Sequence, residues 1–387
     1  MKKLISILGS TGSIGLTTLN IVNKKKSLFK PYLFSANKNY KLICKQIINY
    51  KPYFFLINDE KIYLKVKNKF KKNRTIIINN IKLNDIKNKS DITVSAIPGI
   101  AGLYPTITMI KKSKKLLIAN KESIICGWEL IKKESKKYRT KIVPIDSEHF
   151  SILKLLQKSN LNEIEKVFLT ASGGPFLGLS KKKLKKIKPM HALSHPKWNM
   201  GKKITVDSST LMNKVLEYIE AQKLFNLPEK KLEILIHPES KVHAIVKFNN
   251  GLTKFIYHDT SMIVPIANAI FENNLNINNF FKDEKKIENL TFKVPQKSNF
   301  PAIKFLHKVN KHPSTSIIVN ATNEVLVEYF LGKKLPFLGI TIIISKILSD
   351  RNYMKYAIRK PKNLEQIYEI NSWAKRKTIE KIKLIYG

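Results

Sequence analysis

Through roughly the first 150 residues, short apolar runs alternate with longer stretches whose apolar positions recur every three or four. Lys3–Leu8, Pro31–Ser35, Phe54–Ile57, Thr75–Ile78, Ile92–Ala96, Lys115–Ala119 and Lys141–Ile145 have strand length and strand composition. Their alternation with helical stretches predicts βαβ units around a mainly parallel sheet. From about residue 151 the rhythm changes. Lys166–Thr170 and Leu232–His237 predict strands, and Val242–Phe248 and Leu252–His258 flank Asn249-Asn250-Gly251, a hairpin turn. A long helix is expected from about Ser208 to Phe225. A polar stretch near 278–299 reads as a linker, and Ser316–Leu331, Leu338–Leu348 and Leu364–Ile382 carry helical periodicity.

A chain of 387 residues with 43% hydrophobic residues has room for two or three domains and a sizeable core. Its 71 Lys+Arg against 28 Asp+Glu, a formal charge of +43, raises nucleic-acid binding as a possibility. The detail argues against it. Only Arg74, Arg139, Arg351, Arg359 and Arg376 carry the planar fork that base readers favour, and the lysines are spread along the whole chain. Abundant Lys, Asn and Ile together are what AT-rich codons yield, although the excess charge can still steer an anionic substrate. Cys44 and Cys126 form neither a C-x-x-C pair nor a zinc pattern, so free thiols in a reducing compartment are expected. The apolar start stops at Gly9, and no later run approaches the roughly 18 residues of a membrane helix. A cytoplasmic protein without a membrane partner is expected.

Chemistry-bearing motifs sit at strand ends. Gly9-Ser10-Thr11-Gly12-Ser13-Ile14-Gly15, between a strand and a helix, is a variant dinucleotide fingerprint: glycines admit a pyrophosphate and the helix N-terminus favours its charge. Ser35-Ala36-Asn37-Lys38-Asn39, after the second strand, lacks the carboxylate that would bind a ribose 2′-OH. Lys38 with Ser35 and nearby amides suits a 2′-phosphate, hence NADPH. Lys121 follows another strand. Asp146 and Glu148, two apart after the strand Lys141–Ile145, would point the same way in extended chain and hold a cation between them; oxygen ligands suit Mg²⁺ or Mn²⁺. In the expected helix Asn213, Lys214 and Glu217 share a face, with Ser208 at its start suited to a phosphate. The loop-like His191–Gly201 has the make-up of a lid, and Ala171-Ser172-Gly173-Gly174-Pro175 is a Gly-rich turn able to bind phosphate through amides.

Taken together, Gly9–Gly15, Ala119–Ser123, Pro144–His149, Ser172–Phe176, His195–Gly201, Val206–Glu220, Ile236–His243 and Asn320–Val325 closely resemble the 1-deoxy-D-xylulose 5-phosphate reductoisomerase family, over nearly the whole chain. The resemblance implies an α/β protein: an N-terminal Rossmann-like dinucleotide-binding domain (1–150), an α+β catalytic domain (151–280), a linker (281–305) and a small C-terminal helical domain (306–387), assembled as a homodimer. It implies NADPH- and metal-dependent conversion of a phosphorylated keto-sugar to 2-C-methyl-D-erythritol 4-phosphate, in non-mevalonate isoprenoid synthesis. By motif, Asp146, Glu148 and Glu217 are the expected metal ligands, and these with Lys121 and His195 the expected catalytic group. Lys121, Ser147, Glu148, Ser172, His195, Trp198, Ser208, Asn213, Lys214 and Glu217 are expected at the substrate. Thr11, Gly12, Ser13, Ile14, Lys38, Asn39, Asn120, Glu122 and Gly201 are expected at NADPH. Two departures stand out: Asn37 where the family usually has Gly, and Thr260-Ser261-Met262-Ile263 in place of Pro-Asp-Met-Arg. The competing readings are a simple NADP-dependent reductase, which needs no three carboxylates around a metal, and a basic nucleic-acid binder that has lost catalysis.

Overall fold

The computed structural model describes residues 2–79, 83, 86, 88–157, 159–198, 200–272 and 289–387. Two compact units are formed: Met1–Ser123, Trp128–Asp146 and Met262–Glu284 make the first, and Ile124–Gly127, Ser147–Ser261 and Lys285–Gly387 the second.

In the first unit the seven expected strands appear as β1 (Lys3–Leu8), β2 (Phe29–Ala36), β3 (Phe54–Ile57), β4 (Ile76–Ile78), β5 (Ser90–Ser95), β6 (Ser113–Ile118) and β7 (Lys141–Pro144). They form one sheet in the order β4-β3-β2-β1-β5-β6-β7, every pair parallel. Helices α1 (Ser13–Lys24), α2 (Tyr40–Tyr50), α3 (Glu60–Lys69), α4 (Leu103–Ile110) and α5 (Lys121–Tyr138) provide crossovers. Ile5, Ile7, Leu33, Phe34 and Phe55 are completely buried, each contributing about 1.5–3 kcal/mol of burial free energy. The chain runs outward from β1 to β4 on one side and from β5 to β7 on the other. This makes the β1–β5 gap the switch point where open α/β sheets bind ligands.

The second unit holds α6 (Ser147–Leu155), β8 (Ile164–Ala171), the single-turn helices α7 (Lys181–Leu184) and α8 (Pro189–Ala192), α9 (Lys202–Thr210), α10 (Met212–Phe225), and the strands β9 (Leu232–Ile236), β10 (Val242–Phe248) and β11 (Thr253–Tyr257). Its sheet runs β11-β10-β8-β9, with β10–β11 the expected hairpin and β8–β9 parallel. Helix α11 (Ile263–Phe271) returns to the first unit, where Phe271 meets Phe29 edge-on at 5.5 Å. Helices α12 (Thr315–Leu331), α13 (Gly339–Leu348), α14 (Tyr353–Ala357) and α15 (Leu364–Tyr386) complete the chain, as the C-terminal periodicity predicts. Of the expected linker, 281–288 lie outside the described residues, and Lys293 is bridged to Ile236 at 2.7 and 2.9 Å.

One expected element is not continuous. The helix read as Ser208–Phe225 is two helices, and Ser208 lies in the last turn of α9 rather than at a helix start. Leu211, at φ 64, breaks the chain between them, with its amide bonded to Ser208 O at 3.1 Å. The Thr210 hydroxyl donates to Val206 and Asp207 carbonyls and accepts the Met212 amide, which interrupts the helical ladder. A left-handed leucine costs about 1–2 kcal/mol. Its almost complete burial, at 2% exposure, offsets that cost.

Candidate active site

The glycine turn is shaped by close approach. Gly9 has φ +81, and a Cβ there would lie 2.7 Å from Ala96 O, at the end of β5. A Cβ on Gly15 would lie 2.4 Å from Gly9 O and 2.6 Å from Ser10 Cα, so its absence lets α1 pack directly onto the turn. Gly12 sits at the N-cap without a side-chain cap, with exposed Ser13 opening the helix and Thr11 and Ile14 half-exposed beside them. Amides of a first helical turn have no partner within the helix and are ready anion ligands.

Ser35 does not have the role its position suggests. It is buried, its hydroxyl accepts the Gly9 amide at 3.0 Å and its carbonyl accepts the Ser10 amide at 2.8 Å, so it braces the glycine turn. Lys38 is exposed, with Nζ 4.0 Å from Asp59 Oδ2, and Asn39 caps α2 by accepting the Leu42 amide. Asp59 is a carboxylate the local sequence did not reveal, because it arrives from the end of β3.

At the ends of β6 and β7, Asn120 caps α5 by accepting the Ser123 amide at 2.7 Å, and its amide group donates to Ile97 O, Gly99 O and Glu122 Oε2. Asn120 and Glu122 are both buried, so their side chains hold the loop. Lys121 Nζ lies 3.8 Å from Asp146 Oδ2. Among the described residues of this lysine-rich chain, Lys121, Lys214 and Lys241 are the buried lysines, and each pairs with a carboxylate. Burial thus singles out two of the sequence candidates from a crowd that composition could not resolve.

Asp146 and Glu148 do not lie together in extended chain. The strand stops at Pro144 and Ser147 opens α6, so Glu148 stands in the first turn of a helix. The two carboxylates converge through that strand-to-helix turn instead. Buried Ser147 donates to Glu148 Oε2 at 2.6 Å. Glu217, on α10, completes the group: one ligand oxygen from each of Asp146, Glu148 and Glu217 lies within 4.8 Å of the others. Lys214 bonds both Glu148 and Glu217, and Asn213 donates to Glu217. Burial works against the Lys214 charge, but Glu148 and Glu217 outweigh it and raise its pKa, so it is an ammonium. An all-oxygen, anionic trio with a cation already drawn to it fits a hard divalent ion. His149 lies behind, fully buried, with Nε2 3.0 Å from Glu217 O.

A second cluster lies alongside. His195 Nδ1 accepts the Trp198 and Lys197 amides at 2.9 and 3.2 Å, which places the proton on Nε2, 3.0 Å from Ser172 Oγ. Burial, then the Lys214 charge, holds the imidazole below its ordinary pKa and neutral at pH 7. Ser172 also accepts the Gly174 amide at 3.1 Å, leaving its own proton to donate. A Cβ on Gly174, at φ +63, would lie 3.0 Å from Ser208 O, so the glycine brings the Ser172 turn directly against half-buried Ser208. Trp198 meets His243 edge-on at 5.9 Å, and His243 stacks on His258 at 3.9 Å. Gly201 caps α9 with φ −63 and open space around it. Asn199 lies outside the described residues. The sequence does not single out Gly174, His243 and His258: Gly174 stands there only as part of a turn, and the histidines lie far along the chain from Trp198, which His243 meets.

A switch-point glycine turn for a dinucleotide and a carboxylate trio beside a lysine and a hydroxyl-lined turn are the parts of a metal-assisted, dinucleotide-dependent oxidoreductase. Comparison with known proteins makes this specific. Models of 1-deoxy-D-xylulose 5-phosphate reductoisomerase match residues 5–127, and those of its C-terminal domains match 142–225 and 259–377. The chain therefore belongs to the 1-deoxy-D-xylulose 5-phosphate reductoisomerase family. It is 46% identical to the enzyme of Pelagibacter ubique over 386 residues, covering 97% of this chain and 98% of that one. It is 38% identical to that of Clostridium novyi, covering 98% and 99%. A crystal structure of DOX-P reductoisomerase in complex with NADPH, fosmidomycin and magnesium superposes with a TM-score of 0.90 at 30% identity, over 99% of both chains. The Zymomonas mobilis enzyme in complex with NADPH gives 0.87 at 28%, again over 99% of both.

Proposed function

We propose that this chain converts 1-deoxy-D-xylulose 5-phosphate to 2-C-methyl-D-erythritol 4-phosphate, using NADPH and Mg²⁺ or Mn²⁺, for isoprenoid precursor synthesis. The observation that carries the reading is the trio Asp146, Glu148 and Glu217 with Lys214 among its carboxylates. A simple reductase has no use for it. The trio would hold the ion, and Thr11–Ile14 with Lys38 and Asn39 would hold the dinucleotide, joined by Asn120, Glu122 and Gly201. When bound, the ion supplies Lewis acidity toward a hydroxy-ketone and the dinucleotide supplies hydride. Ser172, Ser208, Asn213 and Lys214 grip the phosphate, so that binding energy remote from the bond changes assists them. Ser147 and Lys121 orient the sugar hydroxyls, and neutral His195 donates from Nε2.

In this reading the first unit serves the cofactor, Ser147–Ser261 of the second unit the substrate, and 306–387 the helical support, in a cytoplasmic homodimer without a nucleic-acid partner. Among the described residues no helix is long and apolar enough to cross a membrane. The test follows NADPH oxidation at 340 nm with 1-deoxy-D-xylulose 5-phosphate and Mg²⁺. Turnover should vanish in excess EDTA. NADPH should exceed NADH by more than about tenfold in kcat/KM, since a charge-assisted contact contributes about 1.5–3 kcal/mol. Undiminished turnover in EDTA refutes the metal assignment, and equal cofactor use refutes that of Lys38.

His195–Gly201 acts as a lid, with Trp198 its apolar cover, shielding the aldehyde formed by the rearrangement. In a chain with Trp128 and Trp373 replaced by Phe, saturating substrate and metal should change Trp198 emission. Trp198→Ala should lower kcat/KM well beyond either control. A constant signal together with near-normal Trp198→Ala kinetics would show a static loop.

A further inference from the structure

The stretch Asn320–Val325 has no part in the site described so far, yet the helix that carries it, α12, buries several polar side chains. Ser316, Asn320, Thr322 and Asn323, all on α12, are at most 1% exposed. Asn323 Nδ2 donates to Asp207 Oδ1 at 2.7 Å, while Lys203, one turn earlier on α9, donates to Asp207 Oδ2 at 3.0 Å. Asp207 is 1% exposed, so its carboxylate is held inside the second unit by one amide and one ammonium. It immediately precedes Ser208 and stands four residues before the left-handed Leu211. Its own carbonyl accepts the Thr210 hydroxyl at 3.1 Å, part of the bonding that ends α9. Ser208 in turn is pressed against Gly174.

We propose that Asn323 is a positioning residue for the phosphate end of the site, acting through Asp207. The Lys203 bond lies within α9, so it is the Asn323 amide that ties α9 to α12 through Asp207. The break at Leu211 therefore keeps Ser208 against the Ser172 turn and presents Asn213 and Lys214 from the next helix. A buried carboxylate that loses a donor must find another or move, and the movement available to Asp207 carries Ser208 with it. The proposal rests on Ser208, Asn213 and Lys214 gripping a phosphate.

The test uses the full chain as Asn323→Leu, as Asn323→Asp, and as the reciprocal exchange Asp207→Asn with Asn323→Asp, which restores an amide–carboxylate pair. Inorganic phosphate binding is measured by calorimetry and steady-state kinetics with 1-deoxy-D-xylulose 5-phosphate. Asn323→Leu should weaken phosphate binding and raise the substrate KM by about tenfold, with kcat within about threefold and the NADPH KM unchanged. Asn323→Asp should be worse, because it sets like charges together, and the exchange should recover most of the loss. A purely structural Asn323 would lower Tm and the active fraction while phosphate affinity and KM of the folded protein stayed put, which overturns the proposal; so does an exchange that recovers nothing. If the wild type binds phosphate but does not turn over this substrate, the functional reading fails, and the calorimetric series still decides the role of Asn323.

Discussion

Glu217→Gln is expected to lower kcat at least about 100-fold, a loss of about 2.7 kcal/mol of transition-state stabilisation. Glu217 is buried on α10, bonded to Lys214 and Asn213, and contributes one of three carboxylates whose oxygens lie within 4.8 Å of each other. Glutamine keeps the shape and one acceptor oxygen but removes the negative charge that a divalent ion would need. Lys214 then keeps Glu148 as its carboxylate partner of the two, which draws the ammonium further onto Glu148 and away from the phosphate it is to hold. The first effect acts at the reacting centre and the second on the remote phosphate binding that assists it, so kcat should fall with a higher Mg²⁺ requirement, while NADPH affinity is retained. A titration of kcat against Mg²⁺ for both proteins checks this. A variant within about threefold of wild type at low Mg²⁺ would remove Glu217 from the metal set.

Gly15→Ala should weaken NADPH binding by a factor between about 5 and 150, as expected from the roughly 1–3 kcal/mol cost of overpacking a well-packed site. Its Cβ would meet Gly9 O at 2.4 Å and Ser10 backbone carbon at 2.7 Å. Neither neighbour is a flexible side chain, so α1 must withdraw and its leading amides move off the pyrophosphate. Gly332→Ala is the matched control: it lies outside the site, its nearest neighbour would be Glu328 O at 3.4 Å, an ordinary contact, and its φ of −75 suits any residue. Quenching or enhancement of NADPH fluorescence on titration gives both dissociation constants. Equal affinity in Gly15→Ala and wild type would mean that the turn does not carry the pyrophosphate.

The parallel sheet was readable from sequence because each of its strands is a short apolar run set between helical stretches; β1 and β3 match at both ends, as does β10 in the second sheet. What escaped was whatever depends on residues far apart in the chain. Nothing around Leu211 marks a helix break, since leucine favours helix and only the packing around its buried side chain sustains φ 64. Ser35 looked like a phosphate ligand because its bond to the Gly9 amide joins positions 26 residues apart. The spacing of Asp146 and Glu148 suggests extended chain, whereas a helix begins at Ser147 between them and the turn brings the carboxylates together. Lys121 and Lys214 could not be separated from other lysines by composition; burial separates them. Asn323 carries a signal as part of the motif Asn320–Val325, but its partner Asp207 lies 116 residues earlier.

The return of α11 to the first unit has a consequence for how this protein can be taken apart. Ile266, Ala267 and Ile270 are buried, and Phe271 closes on Phe29. A fragment ending near residue 150 would carry the whole glycine turn and all seven strands of its sheet, yet would lack the segment 262–284 that belongs to the same unit. The apolar face of α1 and the start of β2 would then stand in water. Nucleotide binding here is consequently not a detachable cassette. Swapping it between relatives requires junctions after residues 146, 261 and 284, so that α11 travels with its sheet, and a stop codon anywhere before α11 would leave even the first unit unable to close its own core.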